Sequence, residues 1–308
     1  MIISLPEEIR TCQYGIRTLG ELCAECFGCD DAVVKFDCSR LRFVDANLCA
    51  ALGVVFKRLA SVGKCVGVVG EIKSEVREIL TCNNFLPCAV YGEKTMLPDP
   101  EELEFSEKLF LPYWNYSIEE AKGFIKGYAR KLIANKWMPV MTEGVRTKMI
   151  ESLGELFNNA KVHAESRFGV FVCGKYSPKR QALSFTISDA GIGFRERLAR
   201  DFKFSGNSSD AIDWAMKPKN TVKRTDEPGG LGLKLLHEFV WLNGGRMIIA
   251  SDAGYFELSN GGTVLVEFEH PFPGTIVSLE VNAADSQSYS LKTESVNNGG
   301  CTYANNNH

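Results

Sequence analysis

Through the first hundred residues, short β-branched apolar runs alternate with segments of helical period, and this alternation restricts the chain to stacked layers of sheet and helix. Ala32 to Asp37 is one such run and suits a buried strand. Leu48, Leu52, Val55, Phe56 and Leu59 then recur at helical spacing, with Gly63 placed as a helix stop. A second strand over Cys65 to Val69 and a helix over Ser74 to Leu80 complete a β-α-β-α pattern. The rigid, charged segment Pro98-Asp99-Pro100-Glu101-Glu102 breaks it, which predicts a first domain over residues 1–98.

Longer helices dominate from about residue 105. Ser117-Ile118-Glu119-Glu120 reads as a capping box, and Ile118, Phe124, Ile125, Tyr128 and Leu132 supply one apolar face behind it. A second helix is expected from Thr142 to Ala164, and a third over Leu233 to Leu242. Strand-like runs occur at Val170 to Val172, Ala182 to Ser188, Met247 to Ala250 and Thr263 to Phe268. A second domain over residues 105–280 is therefore expected, followed over 281–308 by a tail whose Asn, Ser and Gly content predicts disorder. The length of 308 residues suits two domains, and 45% hydrophobic with 24% charged residues excludes a wholly disordered, collagen-like or disulfide-scaffold protein.

Thirty-five Lys and Arg against 38 Asp and Glu leave a net charge of −3, so the whole chain exerts no strong pull on nucleic acid or anionic membrane. The opening MIISLPEEIR lacks a secretory pattern and no apolar stretch approaches about 20 residues, which predicts a cytoplasmic protein. Eleven cysteines, an odd number scattered among apolar neighbours, fit reduced thiols. Cys23, Cys26 and Cys29 form a C-x2-C-x2-C run, but no fourth ligand set follows, and a spacing of three also results from one buried helix face.

Four short elements carry the chemistry. On the helix from Thr142, Met149, Leu153, Leu156, Phe157, Ala160 and Ala164 share the core face, while Glu155, Asn159 and His163 lie in a stripe along its edge. Asparagine is a poor helix-interior residue, and its amide oxygen could ligate Mg²⁺; the carboxylate one turn earlier could polarise a water or hydroxyl. A solvated helix edge is the competing reading. Asp189-Ala190-Gly191-Ile192-Gly193 follows a strand directly, so a carboxylate at a strand end meets a turn in which Gly191 and Gly193 let the backbone approach a flat ligand. Gly229-Gly230-Leu231-Gly232-Leu233 opens a helix, where unpaired N–H groups suit phosphate. The roughly 35 residues between these two elements, which include Lys217, Lys219, Lys223 and Arg224, read as a lid over anionic groups or as a disordered loop, and solvated cations are the competing reading. The fourth element is Gly261-Gly262-Thr263, at the start of a late strand.

In this order and spacing the four elements resemble the nucleotide-binding domain of the GHKL superfamily, which unites gyrase-type ATPases, the large heat-shock chaperone, histidine kinases, mismatch-repair ATPases and bacterial anti-sigma serine kinases. Glu155 to Ala160 matches the N box, Asp189 to Gly193 the first glycine box, Gly230 to Leu233 the second, and Gly262-Thr263 the last Gly-Thr motif. The resemblance implies a GHKL (Bergerat) α/β sandwich that binds ATP. Asp189 would hold the adenine amine with Gly191, Gly193 and Thr263 nearby, Asn159 the Mg²⁺, and Gly230, Leu231 and Gly232 the phosphates. Glu155 would be the catalytic base.

Residues 1–98 resemble the STAS domain of anti-sigma-factor antagonists through the strand to Asp37 and the segment Leu41-Arg42-Phe43-Val44-Asp45 before a helix. Where those antagonists carry Asp-Ser-Ser-Gly, this chain reads Asp45-Ala46-Asn47-Leu48, so the phosphoacceptor hydroxyl is missing. No histidine precedes Glu155, which argues against a histidine kinase. The expectation is an ATP-binding regulator that switches its interaction with a protein partner. An anti-sigma-type serine/threonine kinase and a non-catalytic nucleotide sensor are the alternatives.

Overall fold

A computed structural model describes residues 1–90, 109–162, 167–217, 231–292, 294 and 301–303. The N-terminal half contains β1 (Ile2–Ser4), β2 (Glu8–Ile9), α1 (Gln13–Gly28), β3 (Val33–Asp37), β4 (Phe43–Val44), a 3-10 turn (Ala46–Leu48), α2 (Cys49–Ser61), β5 (Cys65–Val69) and α3 (Ser74–Cys82). β1, β3 and β5 form a parallel sheet with β3 in the middle; Val34 and Phe36 of β3 face the core, while Val33 and Lys35 are exposed on the other face.

The second half begins with β6 (Phe110–Tyr116), then a helical stretch made of α4 (Ala121–Gly123), a π-helical segment (Phe124–Ala129) and α5 (Arg130–Ile133). Of the expected capping box, the structure contains the bond from the Ser117 backbone N–H to the Glu120 carboxylate, 2.6 Å. β7 (Val140–Met141), α6 (Glu143–Val162), β8 (Val170–Ser177), β9 (Ala182–Asp189), α7 (Gly193–Phe202), α8 (Ser208–Met216), α9 (Leu231–Asn243), β10 (Arg246–Ser259), β11 (Gly262–Asn282), β12 (Ser288–Leu291) and β13 (Cys301–Tyr303) follow. Five strands pair antiparallel in the order β10-β11-β9-β8-β6.

Both faces of this sheet are buried. Leu183, Phe185 and Ile187 of β9 pack beneath α6 and α9 with Phe157, Leu236 and Phe239. The opposite face receives α1 and α2, and Ile248, Ala250 and Ile276 share a core there with Ile16, Val54 and Phe36. The expected domain boundary falls in residues outside those described, and the halves on either side of it are joined by this common core. The intervening polar face of β9 is buried as well. Ser184, Thr186 and Ser188 are each 5% exposed or less. Asn47 satisfies part of it, donating to Thr186 Oγ1 at 2.9 Å, Ser278 Oγ at 3.2 Å and Thr11 Oγ1 at 3.0 Å.

Two expectations need correction. Residues 193–202 and 208–216, expected as part of a long loop, are helices, because α8 packs along β10 and is closed by a reciprocal capping box between Asn207 and Asp210. The predicted disorder from residue 281 is also wrong for residues 281–292. β11 runs to Asn282, β12 pairs with β7, and Tyr289 is fully buried against Phe239 at 5.2 Å between ring centroids. One aromatic anchor outweighs the polar composition around it. Tyr289→Ala is expected to lower the unfolding free energy by about 3–5 kcal/mol, read by urea denaturation; an unchanged midpoint would detach this segment from the core.

Among the described residues, no helix is long and apolar enough to cross a membrane. Cys23 and Cys26 are buried free thiols on α1, and burial pushes the Cys26 thiol up to about 11 and Cys23 further still. Among the described residues no group of three or more His, Cys, Asp or Glu is placed to hold a metal.

Candidate functional site

The α6 face falls as its periodicity predicts. Met149, Leu153, Leu156, Phe157 and Ala160 are buried, whereas Glu155 and Asn159 are half-buried on the edge. His163 and Ala164 lie outside the described residues. The Asn159 side chain makes no hydrogen bond among the described residues. The Glu155 carboxylate accepts from the Gly232 backbone N–H at 2.8 Å, in the first turn of α9. A Cβ on Gly232 would meet Glu155 Oε2 at 2.9 Å and the Ser152 carbonyl oxygen at 3.0 Å. Glycine therefore lets the start of α9 sit directly on α6. Lys234 is held below the ordinary lysine range by desolvation, which the Glu155 charge partly opposes.

Strand register fixes where these pieces meet. Arg246, just after α9, pairs with Glu280, and Glu280 pairs with Ser184. Asp189 lies five residues further along β9, roughly 17 Å away. The 13 residues of α9 span roughly 20 Å and bring its N-terminus back to the Asp189 end. The Glu155–Gly232 bond ties α6 to the N-terminus of α9.

Asp189 is 8% exposed, and its carboxylate accepts from the Gly191 backbone N–H at 2.8 Å. That is the only hydrogen bond to its side chain among the described residues. Desolvation pushes its pKa up to about 7, with the Gly191 bond pulling the other way. The turn is anchored at Gly193, where φ is +76° and a Cβ would meet Ser251 Oγ at 2.9 Å. Ser251 Oγ accepts from the Phe194 N–H at 3.0 Å and lies 3.1 Å from Thr275 Oγ1.

Thr263 is elsewhere. It pairs with Leu258 at the exposed tip of the β10–β11 hairpin, in a stretch of β11 that does not pair with β9. The Gly-Thr pair opposite Asp189 is Gly274-Thr275, with Thr275 in direct register with Asp189. Sequence reasoning missed it. No local signal marked it, because Thr263 to Phe268 and Ile276 to Val281 are both strand-like runs that begin in or directly follow a Gly-Thr pair. Gly230, Lys219, Lys223 and Arg224 lie outside the described residues, and of Leu231 only its place at the head of α9 is described. Lys217 pairs with Asp213 at 2.8 Å on α8.

Compared with models of known protein families the chain matches none, and no curated protein matches it either.

Proposed function

We propose that this chain is a GHKL-type ATP-binding regulator whose nucleotide lies at the Asp189 end of the five-stranded sheet. The observation that carries this reading is a buried carboxylate with acceptor capacity to spare, at the strand end to which the first turn of α9 returns. Asp189 would accept from an exocyclic amine, with Thr275 and the Gly191–Gly193 turn beside it. The α9 N-terminus offers backbone donors and the positive end of its dipole to phosphates, and Asn159 offers an amide oxygen to Mg²⁺. Bound Mg²⁺ would neutralise phosphate charge. Glu155, which caps α9 through Gly232, would have to leave that N–H before acting as a base on water or a hydroxyl.

The STAS-like half serves in this reading as an internal partner instead of a phosphoacceptor. Ala46, where the acceptor serine would stand, is 1% exposed, and the neighbouring Asn47, 2% exposed, bonds to the sheet. Titration of the full chain with ATP, with and without Mg²⁺, tests the proposal. Wild type is expected to bind more tightly with Mg²⁺, and Asn159→Ala to lose that gain, about tenfold. Absence of ATP binding by wild type would overturn the reading, and an undiminished Mg²⁺ effect in Asn159→Ala would remove the metal role. Phosphate release by Glu155→Ala against wild type then reads hydrolysis.

A further inference from the structure

We infer that the cleft between the Asp45–Asn47 turn and the β8–β9 hairpin is a second ligand site, which takes a small tetrahedral oxyanion such as a phosphate group. Its cavity is about 100 Å³ and is lined by Arg10, Asp45, Asn47, Lys175, Ser177 and Arg180, among others. That volume is far below the ~300–1,000 Å³ of sites for drug-sized ligands but accommodates one phosphate group. It lies beside Ser184, at the end of β9 opposite Asp189, so the inference does not depend on the nucleotide reading.

Three cations line the cleft against one carboxylate, and the acids near it are already engaged. Asp45 Oδ2 accepts from the Thr11 N–H at 2.7 Å, Glu8 holds Arg10 at 2.6 Å, and Glu280 holds Arg180 at 3.0 Å and Arg246 at 3.6 Å. Arg10 is braced further by the Phe43 ring, 4.1 Å from its guanidinium carbon. Lys175 is different. It is half-buried, its Nζ lies 5.1 Å from the Phe110 ring centroid, and it makes no hydrogen bond or ion pair among the described residues. Desolvation lowers its pKa, Arg180 adds to this, and Asp45 and Glu78 oppose it. A partly desolvated ammonium without a direct ion pair is costly, and a multivalent anion relieves that cost. Ser177 Oγ accepts from the Arg180 N–H at 3.4 Å, which leaves its own hydroxyl proton to donate.

The test is calorimetric titration of the full chain with inorganic phosphate and, separately, O-phosphoserine, at constant ionic strength. Saturable one-to-one binding is expected, weakened at least about tenfold in Lys175→Met and retained in Lys175→Arg. Asp189→Asn should bind phosphate as wild type does. Tighter binding of O-phosphoserine would identify a phosphate ester as the ligand, and tighter binding of inorganic phosphate the free ion. If Lys175→Met does not fold, Arg180→Gln is read in the same way. No saturable binding of either probe, wild-type affinity in the neutral variant, or loss of binding in Asp189→Asn would overturn the inference.

Discussion

Gly274→Ala is expected to lower the unfolding free energy by at least ~4 kcal/mol, enough to lose the native sheet, whereas Gly262→Ala should cost only about 1–2 kcal/mol. Both glycines precede a threonine, and both have positive φ, +152° at Gly274 and +102° at Gly262. Their surroundings separate them. A Cβ on Gly274 would stand 1.9 Å from the Asp189 carbonyl oxygen and 2.8 Å from its carbon, both backbone atoms of the paired strand. Neither can move without breaking the β9–β11 ladder. A Cβ on Gly262 would meet nothing within 4 Å, so only the conformational strain remains. Urea denaturation of the two variants checks the contrast. Equal losses would mean that β11 does not approach Asp189 this closely.

On the proposed nucleotide site, Asp189→Asn is expected to weaken ATP binding by about a hundredfold or more, while making the protein more stable above neutral pH. Asp189 carries two acceptor oxygens, one of which already serves the Gly191 N–H. In asparagine, keeping the Gly191 bond on its oxygen leaves an –NH2 donor where the second carboxylate oxygen stood, and that donor opposes a ligand amine. The stability change follows from linkage. The folded-state pKa is about 7 against an ordinary 3.8, so between those values the folded state holds a proton that the unfolded state has released. Wild-type stability therefore falls as pH rises from about 4 through 7, by up to about 4 kcal/mol, and asparagine abolishes this contribution. Denaturation midpoints at several pH values, paired with nucleotide titrations, separate the two effects. A wild-type pH slope that persists in the variant would show that Asp189 is not its source.

Much of the fold can be read from local pattern. The apolar stripe of α6, the helical period of α2 and α9 and the β-branched runs of β3 and β5 each specify an element, because a side chain's face is set by its position in the helix or strand period. The edge placement of Glu155 and Asn159 and the position of Asp189 at a strand end were legible for the same reason. Local pattern failed where a distant segment supplied the missing partner. β9 alternates Leu183, Ser184, Phe185, Thr186, Ile187 and Ser188, which alone describes a sheet with one wet face. That face is instead dry, because α2 covers it, Asn47, 139 residues away, bonds Thr186, and Glu280 and Thr275 of β11 accept from Ser184 and Ser188.

The Gly-Thr assignment failed in the same manner. Two Gly-Thr pairs lie 12 residues apart on one long strand, and nothing local distinguishes them. Only the pairing of β11 with β9 selects Thr275, since a hairpin arm can extend past the strand it joins. By itself, then, the sequence determined the layers, the helix edge with Glu155 and Asn159, and the carboxylate at the end of β9. The tertiary structure alone decided which threonine faces Asp189, that Glu155 caps α9, and that the N-terminal helices cover the second face of the sheet. These depend on strand register and helix docking, which couple residues too far apart in the chain for any local periodicity to record.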